Sequence, residues 1–149
     1  MSKMRPGERF FEAPDYYARK IEGLKAEIEY LYYLMIPSGI DYSKPSVMST
    51  PQDIISEYAA HKDDLEAELH DAQKKYIRSV HDVRAVLDML TAQNPKGAAI
   101  LEEYYVSHIP FRDIAARYNY STNHLYKIRN RAISQSLVFI SQIKTPTGP

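Results

Sequence analysis

Apolar residues between Asp15 and Met35 recur at Tyr17, Ile21, Leu24, Ile28, Leu31 and Met35. The steps alternate between four and three, a heptad stripe, so the spacing predicts an amphipathic helix with one apolar seam. Asp15, following Pro14, reads as its N-cap, and Pro37 and Gly39 read as its end. Lys20, Glu22, Lys25, Glu27 and Glu29 fill the opposite face. A polar link runs from Pro37 to Thr50, and Thr50, Pro51 and Asp53 then form a helix start. From Gln52 to about Leu90 the helical pattern continues without Pro or Gly, through Ile54, Tyr58, Leu65, Leu69, Ala72, Tyr76, Val80, Val83, Leu87 and Leu90. Unbroken, this would be ~57 Å of helix at ~1.5 Å per residue, against roughly 30 Å for the first helix. The excess predicts either a break near Lys74 to Arg78 or a further packing partner. That partner is the C-terminal part of the chain or a second copy.

Asn94 before Pro95 marks another start, with Asn94 as N-cap of a helix from Lys96 to Ser107 that presents Ala99, Ile100, Tyr104 and Tyr105. His108 and Ile109 form a short link, and Pro110 opens the next helix. Residues 111–130 read FRDIAARYNYSTNHLYKIRN. Two tightly crossing helices need a small residue at the crossing, which Ala115 supplies. They need a residue tolerant of positive φ four positions on, which is Asn119. An apolar residue, Tyr120, follows in the turn, and Ser121 caps the second helix. Leu125, Ile128 and Ala132 then pack back toward Ile114 and Tyr118. Each requirement is met in order, which predicts a helix-turn-helix.

At ~100° per residue, Asn123, Tyr126, Lys127, Asn130 and Ser134 fall opposite that inner face, with Arg131 on its flank. The face holds donors and no carboxylate. Asn pairs with adenine, and Lys reaches guanine or phosphate. The N-terminal half of such a helix enters the major groove. Thr122, Asn123, Tyr126, Lys127 and Asn130 are therefore the candidate base contacts. Arg112, Arg117, Ser121, Arg129 and Arg131 are the candidate phosphate contacts, which position a protein without reading sequence.

The formal net charge is +0, and this hides an asymmetry. Residues 94–149 carry seven Lys/Arg against three acids, and residues 1–93 carry 12 against 16. A basic end joined to an acidic one fits a nucleic-acid module attached to something that avoids DNA. The chain has no cysteine, which excludes disulfide and thiol chemistry. No apolar run approaches the ~18 residues of a membrane span, and the polar start is no secretory signal. The reading is a soluble, cytoplasmic protein with no membrane partner.

The stretch YYVSHIPFRDIAARYNYSTNHLYKIRNRAI (residues 104–133) resembles the region-4-type helix-turn-helix of sigma-70 factors. More closely, the chain resembles small phage and mobile-element transcriptional regulators of the ArpU/RinA kind. These join an N-terminal helical or coiled-coil region to a C-terminal sigma-like helix-turn-helix. The resemblance is specific over about residues 100–137 and loose over 15–92. It implies action on transcription of phage or integrated-element genes inside a bacterial host cell, with the recognition helix on Ser121 to Arg131. No region-2-like segment for binding the polymerase core is visible, so the resemblance implies an activator or accessory factor.

Other chemistry is sparse. His61, His70, His81, His108 and His124 form neither an i, i+4 pair nor a metal cluster. With five glycines, neither a phosphate loop nor a nucleophile elbow is present. Asp63, Asp64, Glu66 and Glu68 read as a solvated helix face. The tyrosine doublets (Tyr16-Tyr17, Tyr32-Tyr33, Tyr104-Tyr105) read as core or interface rather than as platforms for single-stranded bases. No enzyme, cofactor, metal or small-molecule substrate is expected.

The sequence thus predicts an all-α protein. Residues 1–14 are a flexible tail in which Phe10 and Phe11 could dock. Residues 15–92 are an antiparallel hairpin or coiled coil used for oligomerisation, residues 94–141 a helix-turn-helix domain, and residues 142–149 a second flexible tail. The expected function is sequence-specific transcription regulation, with helix 121–139 reading double-stranded DNA. The heptad stripe and the excess length of the second helix suggest a homodimer. Two other readings stay open: an accessory module that binds RNA polymerase or another regulator, and a DNA-packaging subunit of the small-terminase kind.

Overall fold

Helices make up all the regular structure in the computed structural model, which describes residues 4–36 and 52–144, the side chains of Gln52 and Lys144 excepted. In chain order they are α1 (Glu8–Met35), α2 (Gln52–Gln93), α3 (Pro95–Leu101), a π-helical turn (Glu102–Val106), α4 (Phe111–Tyr118) and α5 (Thr122–Lys144). The expected link from Pro37 to Thr50 and the start at Thr50-Pro51 lie outside the described residues, as do residues 145–149. By internal contacts the chain divides into two compact units. One is Met1–Pro14 with Ile77–Pro149, and the other is Asp15–Tyr76.

In the unit Asp15–Tyr76 the stripe of α1 is packed as its spacing predicts. Ile21, Leu24 and Leu31 are buried with Leu65 and Ala72 of α2, and Ile28, Leu34, Tyr58 and Leu69 pack around them. Lys62 donates to the Tyr32 hydroxyl at 3.4 Å and pairs with Glu66 at 3.1 Å. The tyrosines off the stripe stay in solvent: Tyr16, Tyr30, Tyr32 and Tyr33 are all at least half exposed.

The other unit corrects the sequence reading in several places. Residues 8–14 are not a loose tail: α1 starts at Glu8 rather than at Asp15, and Pro14 sits inside it. A proline inside a helix removes one backbone donor and commonly costs ~3 kcal/mol. Here the turns before it are held by burial. Phe11 is 1% exposed and its ring stacks on Tyr105 with centroids 5.5 Å apart, and Phe10 meets Phe11 edge-on at 5.3 Å. The long helix shows no break near Lys74 to Arg78. It runs 42 residues, and its last turns bury Val83, Val86, Leu87 and Leu90 with Phe10, Phe11, Leu101, Tyr105, Ala132, Ile133 and Ile140. The division between units therefore falls at Tyr76/Ile77, not at 92/94. Both arguments for a homodimer, the stripe and the surplus length, are met within one chain. The C-terminal tail also shrinks, because α5 continues to Lys144 and Ile143 packs on this core.

The Asn94 side chain caps α3 by accepting from the Gly97 N–H at 3.0 Å, and its amide donates to Gln135 on α5 at 2.8 Å. Gly97 is required at this approach: a Cβ there would stand 2.9 Å from the Cβ of Ala132. The expected helix from Lys96 to Ser107 changes hydrogen-bond register midway. The Ser107 N–H bonds the Glu102 carbonyl at 3.0 Å, an i→i−5 bond, and His108 follows at φ 56. The wide turn lets adjacent tyrosines serve two places. Tyr105 is buried against Phe11, and Tyr104 meets Phe111 of α4 at 5.5 Å. A third cluster, Ile100, Ile114, Ala115 and Leu125, joins α3, α4 and α5.

Candidate nucleic-acid interface

Two features of the α4–α5 connection follow directly from residue type. Asn119 ends α4 at φ 59, ψ 38, the left-handed conformation that Asn tolerates best among residues with a Cβ. There the Asn119 and Tyr120 N–H groups bond the carbonyls of Ala116 and Ala115 at 3.2 and 2.9 Å. Ser121 then caps α5, its Oγ accepting from the His124 N–H at 3.1 Å. Ile114 and Leu125 are fully buried at the crossing, Ala115 is buried beside them, and Tyr118, Tyr120 and Ile128 are packed around them. Burial, followed by the nearby Glu103 charge, raises the Tyr118 hydroxyl above its ordinary range.

Of the candidate base contacts, Thr122, Asn123, Tyr126 and Lys127 are exposed together on the first two turns of α5. Tyr126 is braced from beneath, its ring 4.4 Å from that of Phe111. Asn130 is only half-exposed, and its Oδ1 is buried without a partner. Helix α5 contains no Asp or Glu over its 23 residues, so nothing on it opposes the charge of Lys127.

The candidate phosphate contacts divide. Arg112 and Arg131 are exposed. Ser121 is exposed with its oxygen engaged as the cap. Arg117 is exposed but paired with Glu103 of the π-helical turn. Arg129 does not belong in the set. Its side chain is 14% exposed and pairs at 2.9 Å with Glu8, itself 14% exposed, from the first turn of α1. Its guanidinium lies 5.4–5.9 Å from the rings of Tyr104, Phe111 and Tyr126. The reason is rotational. Arg129 stands one turn beyond Leu125 and one turn before Ile133, both buried, so it shares their side of the helix.

Sequence reading missed Glu8 because it was assigned to a tail. It also missed Lys96, whose Nζ donates to the Tyr120 hydroxyl at 2.6 Å in the turn before α5. Its place at the second position of α3, opposite the turn, carries no sequence signal. Among the described residues no group of His, Cys, Asp or Glu could hold a metal, and no helix is long and apolar enough to cross a membrane. No family model, curated protein or solved structure matches this chain.

Proposed function

We propose that α4, the turn at Asn119 to Ser121, and α5 form a helix-turn-helix, and that the protein is a sequence-specific regulator of transcription that reads double-stranded DNA. The observation that carries this reading is the exposed face of α5. Asn123, Tyr126 and Lys127 stand in solvent on its first turns, and the helix has no acid along its length. Asn and Lys at such positions can pair with adenine and guanine edges in a major groove. Left-handed Asn119 and the Ser121 cap fix where α5 begins, which is what a recognition helix requires. The Asp15–Tyr76 unit is, in this reading, a helical hairpin. The proximity of Tyr32 to Lys62 and the packing of Ile21, Leu24 and Leu31 on Leu65 and Ala72 support an antiparallel arrangement. The resemblance of residues 104–133 to ArpU/RinA-like regulators supports phage or mobile-element genes as the target.

Fluorescence-anisotropy binding to duplexes tiled across the gene's own neighbourhood tests the reading. One tile should bind about a thousandfold or more tighter than the others. The Lys127→Glu, Asn123→Ala double variant should lose that preference while keeping its helical content. Equal, weak binding to every tile by the parent protein would overturn the reading and turn attention to a protein partner such as RNA polymerase.

A further inference from the structure

A cleft of about 390 Å³ opens along one flank of α5, with Asn94, Lys96, Tyr120, His124, Arg131 and Gln135 among its lining residues. No carboxylate lines it. Its groups are held in place by one another. Lys96 donates to the Tyr120 hydroxyl at 2.6 Å and lies 5.3 Å from the ring centroid. The same ring meets His124 edge-on at 4.6 Å. Asn94 and Gln135 are joined by the 2.8 Å bond that ties α3 to α5.

The cations of this cleft differ from Arg117 and Arg129 nearby. Arg117 and Arg129 each face a carboxylate, Glu103 and Glu8. The partner of Lys96 is a neutral hydroxyl, which fixes the ammonium without cancelling its charge and holds it protonated above its ordinary range. Arg131 is exposed and has no acid partner among the described residues. Two uncompensated cations, the His124 ring and the side-chain amides of Asn94 and Gln135 thus converge on one concave site. That arrangement suits a small polyoxygen anion.

We infer that the cleft is a phosphate seat, built on Lys96 and Arg131 with His124 in its lining, and that the phosphate it takes is a phosphodiester of the DNA strand beside the groove entered by α5. The inference rests on the DNA-binding reading and adds Lys96, which sequence reading missed, to the candidate contacts. Phosphate contacts set register and are indifferent to base sequence. Loss of one should therefore weaken all duplexes alike.

The test uses the full chain and its Lys96→Ala and Arg131→Ala variants in duplex-binding salt series. Inorganic phosphate is titrated in parallel against the His124 ring signals by NMR. Each variant is expected to lower affinity for preferred and non-preferred duplexes by the same factor, and to reduce the slope of log affinity against log salt by about one. If the parent prefers one duplex and both variants keep its slope, the seat is overturned and the DNA reading stands. If the parent binds no duplex but inorganic phosphate moves the His124 signals in the parent and not in Lys96→Ala, the DNA source falls with the reading and the ligand is a free phosphate. If neither probe binds, both fall. Arg131 lies at an exposed position of α5, so its variant remains informative should Lys96→Ala lose helical content.

Discussion

Two of the three apolar clusters among the described residues are assembled in opposite ways. In the Asp15–Tyr76 unit, a stripe at heptad spacing on α1 meets a stripe at similar spacing on α2. In the other unit, the core is drawn from four separate stretches of chain: Phe10 and Phe11, Val83 to Leu90, Ala98 to Tyr105, and Ala132 to Ile140. The first interior is a repetition, and removing one member leaves neighbours of the same kind. The second is a closure in which each stretch supplies contacts that the others cannot. Phe11 shows this best, since one ring near the start of α1 stacks on Tyr105 far along the sequence.

Phe11→Ala is therefore the change with the largest expected effect. Truncating a fully buried aromatic costs about 3–5 kcal/mol, and chemical denaturation should show that loss. Leu24→Ala, in the repeated interior, should cost about 2–3 kcal/mol. Equal losses at the two positions would erase the comparison. A smaller loss at Phe11 would mean that its docking is not what holds the start of α1.

Tyr105 gives the closed core a pH dependence. Burial pushes its hydroxyl from 10.0 up to about 12. A phenol is neutral when protonated, so the raised value favours the folded state while the group keeps its proton. That contribution is complete below pH 10 and is lost as pH rises from about 10 to about 12. The shift amounts to about 2–3 kcal/mol. Stability measured across that window should fall more steeply in the parent protein than in Tyr105→Phe. Parallel curves would show that this ring is wetter in solution than its packing indicates.

Glu8 and Arg129 are paired across 121 residues of sequence. Glu8→Ala leaves a largely buried guanidinium without its hydrogen-bond acceptor and should cost about 2 kcal/mol. Replacing both partners with apolar residues of similar length, Glu8→Leu with Arg129→Met, should be milder than the single change. In duplex binding, Arg129→Met should leave the salt slope unchanged, whereas Arg131→Ala should not. A shallower slope for Arg129→Met would return Arg129 to the phosphate contacts.

What could be read from the sequence follows this division. Features set by neighbours within a turn or two were legible: the α1 stripe, the Asn94 and Ser121 caps, left-handed Asn119, and the burial of Ile114, Ala115, Leu125 and Ala132. Features that depend on distant chain were not. The start of α1 at Glu8 was hidden because Pro6, Gly7 and Pro14 suggest a loose segment, and only the docking of Phe10 and Phe11 overrides them. The π-helical turn has no residue signature in EEYYV. Arg129 was misplaced because the inner face of α5 was drawn from Leu125, Ile128 and Ala132 alone. Leu125, Arg129 and Ile133, spaced by fours, already marked a second buried side. The exposure of Thr122, Asn123, Tyr126 and Lys127 was legible because it depends only on which way one helix turns its polar residues, whereas half-exposed Asn130 departs from it.

The smallest effect should come from Asn119, and it sharpens the local side of the comparison. At φ 59 and ψ 38 an ordinary Cβ crowds the following carbonyl. Asn eases that conformation with its own short polar side chain, and Gly removes the conflict altogether. Asn119→Ala should therefore cost about 1 kcal/mol, and Asn119→Gly should change stability by no more than a few tenths. The side chain of Asn119 is exposed, so no loss of packing complicates the difference between the two variants. If Ala and Gly prove equivalent in thermal and denaturant melts, the left-handed turn is not maintained in solution. The register in which α5 presents Asn123 and Lys127 would then have to be set by Ile114 and Leu125 instead.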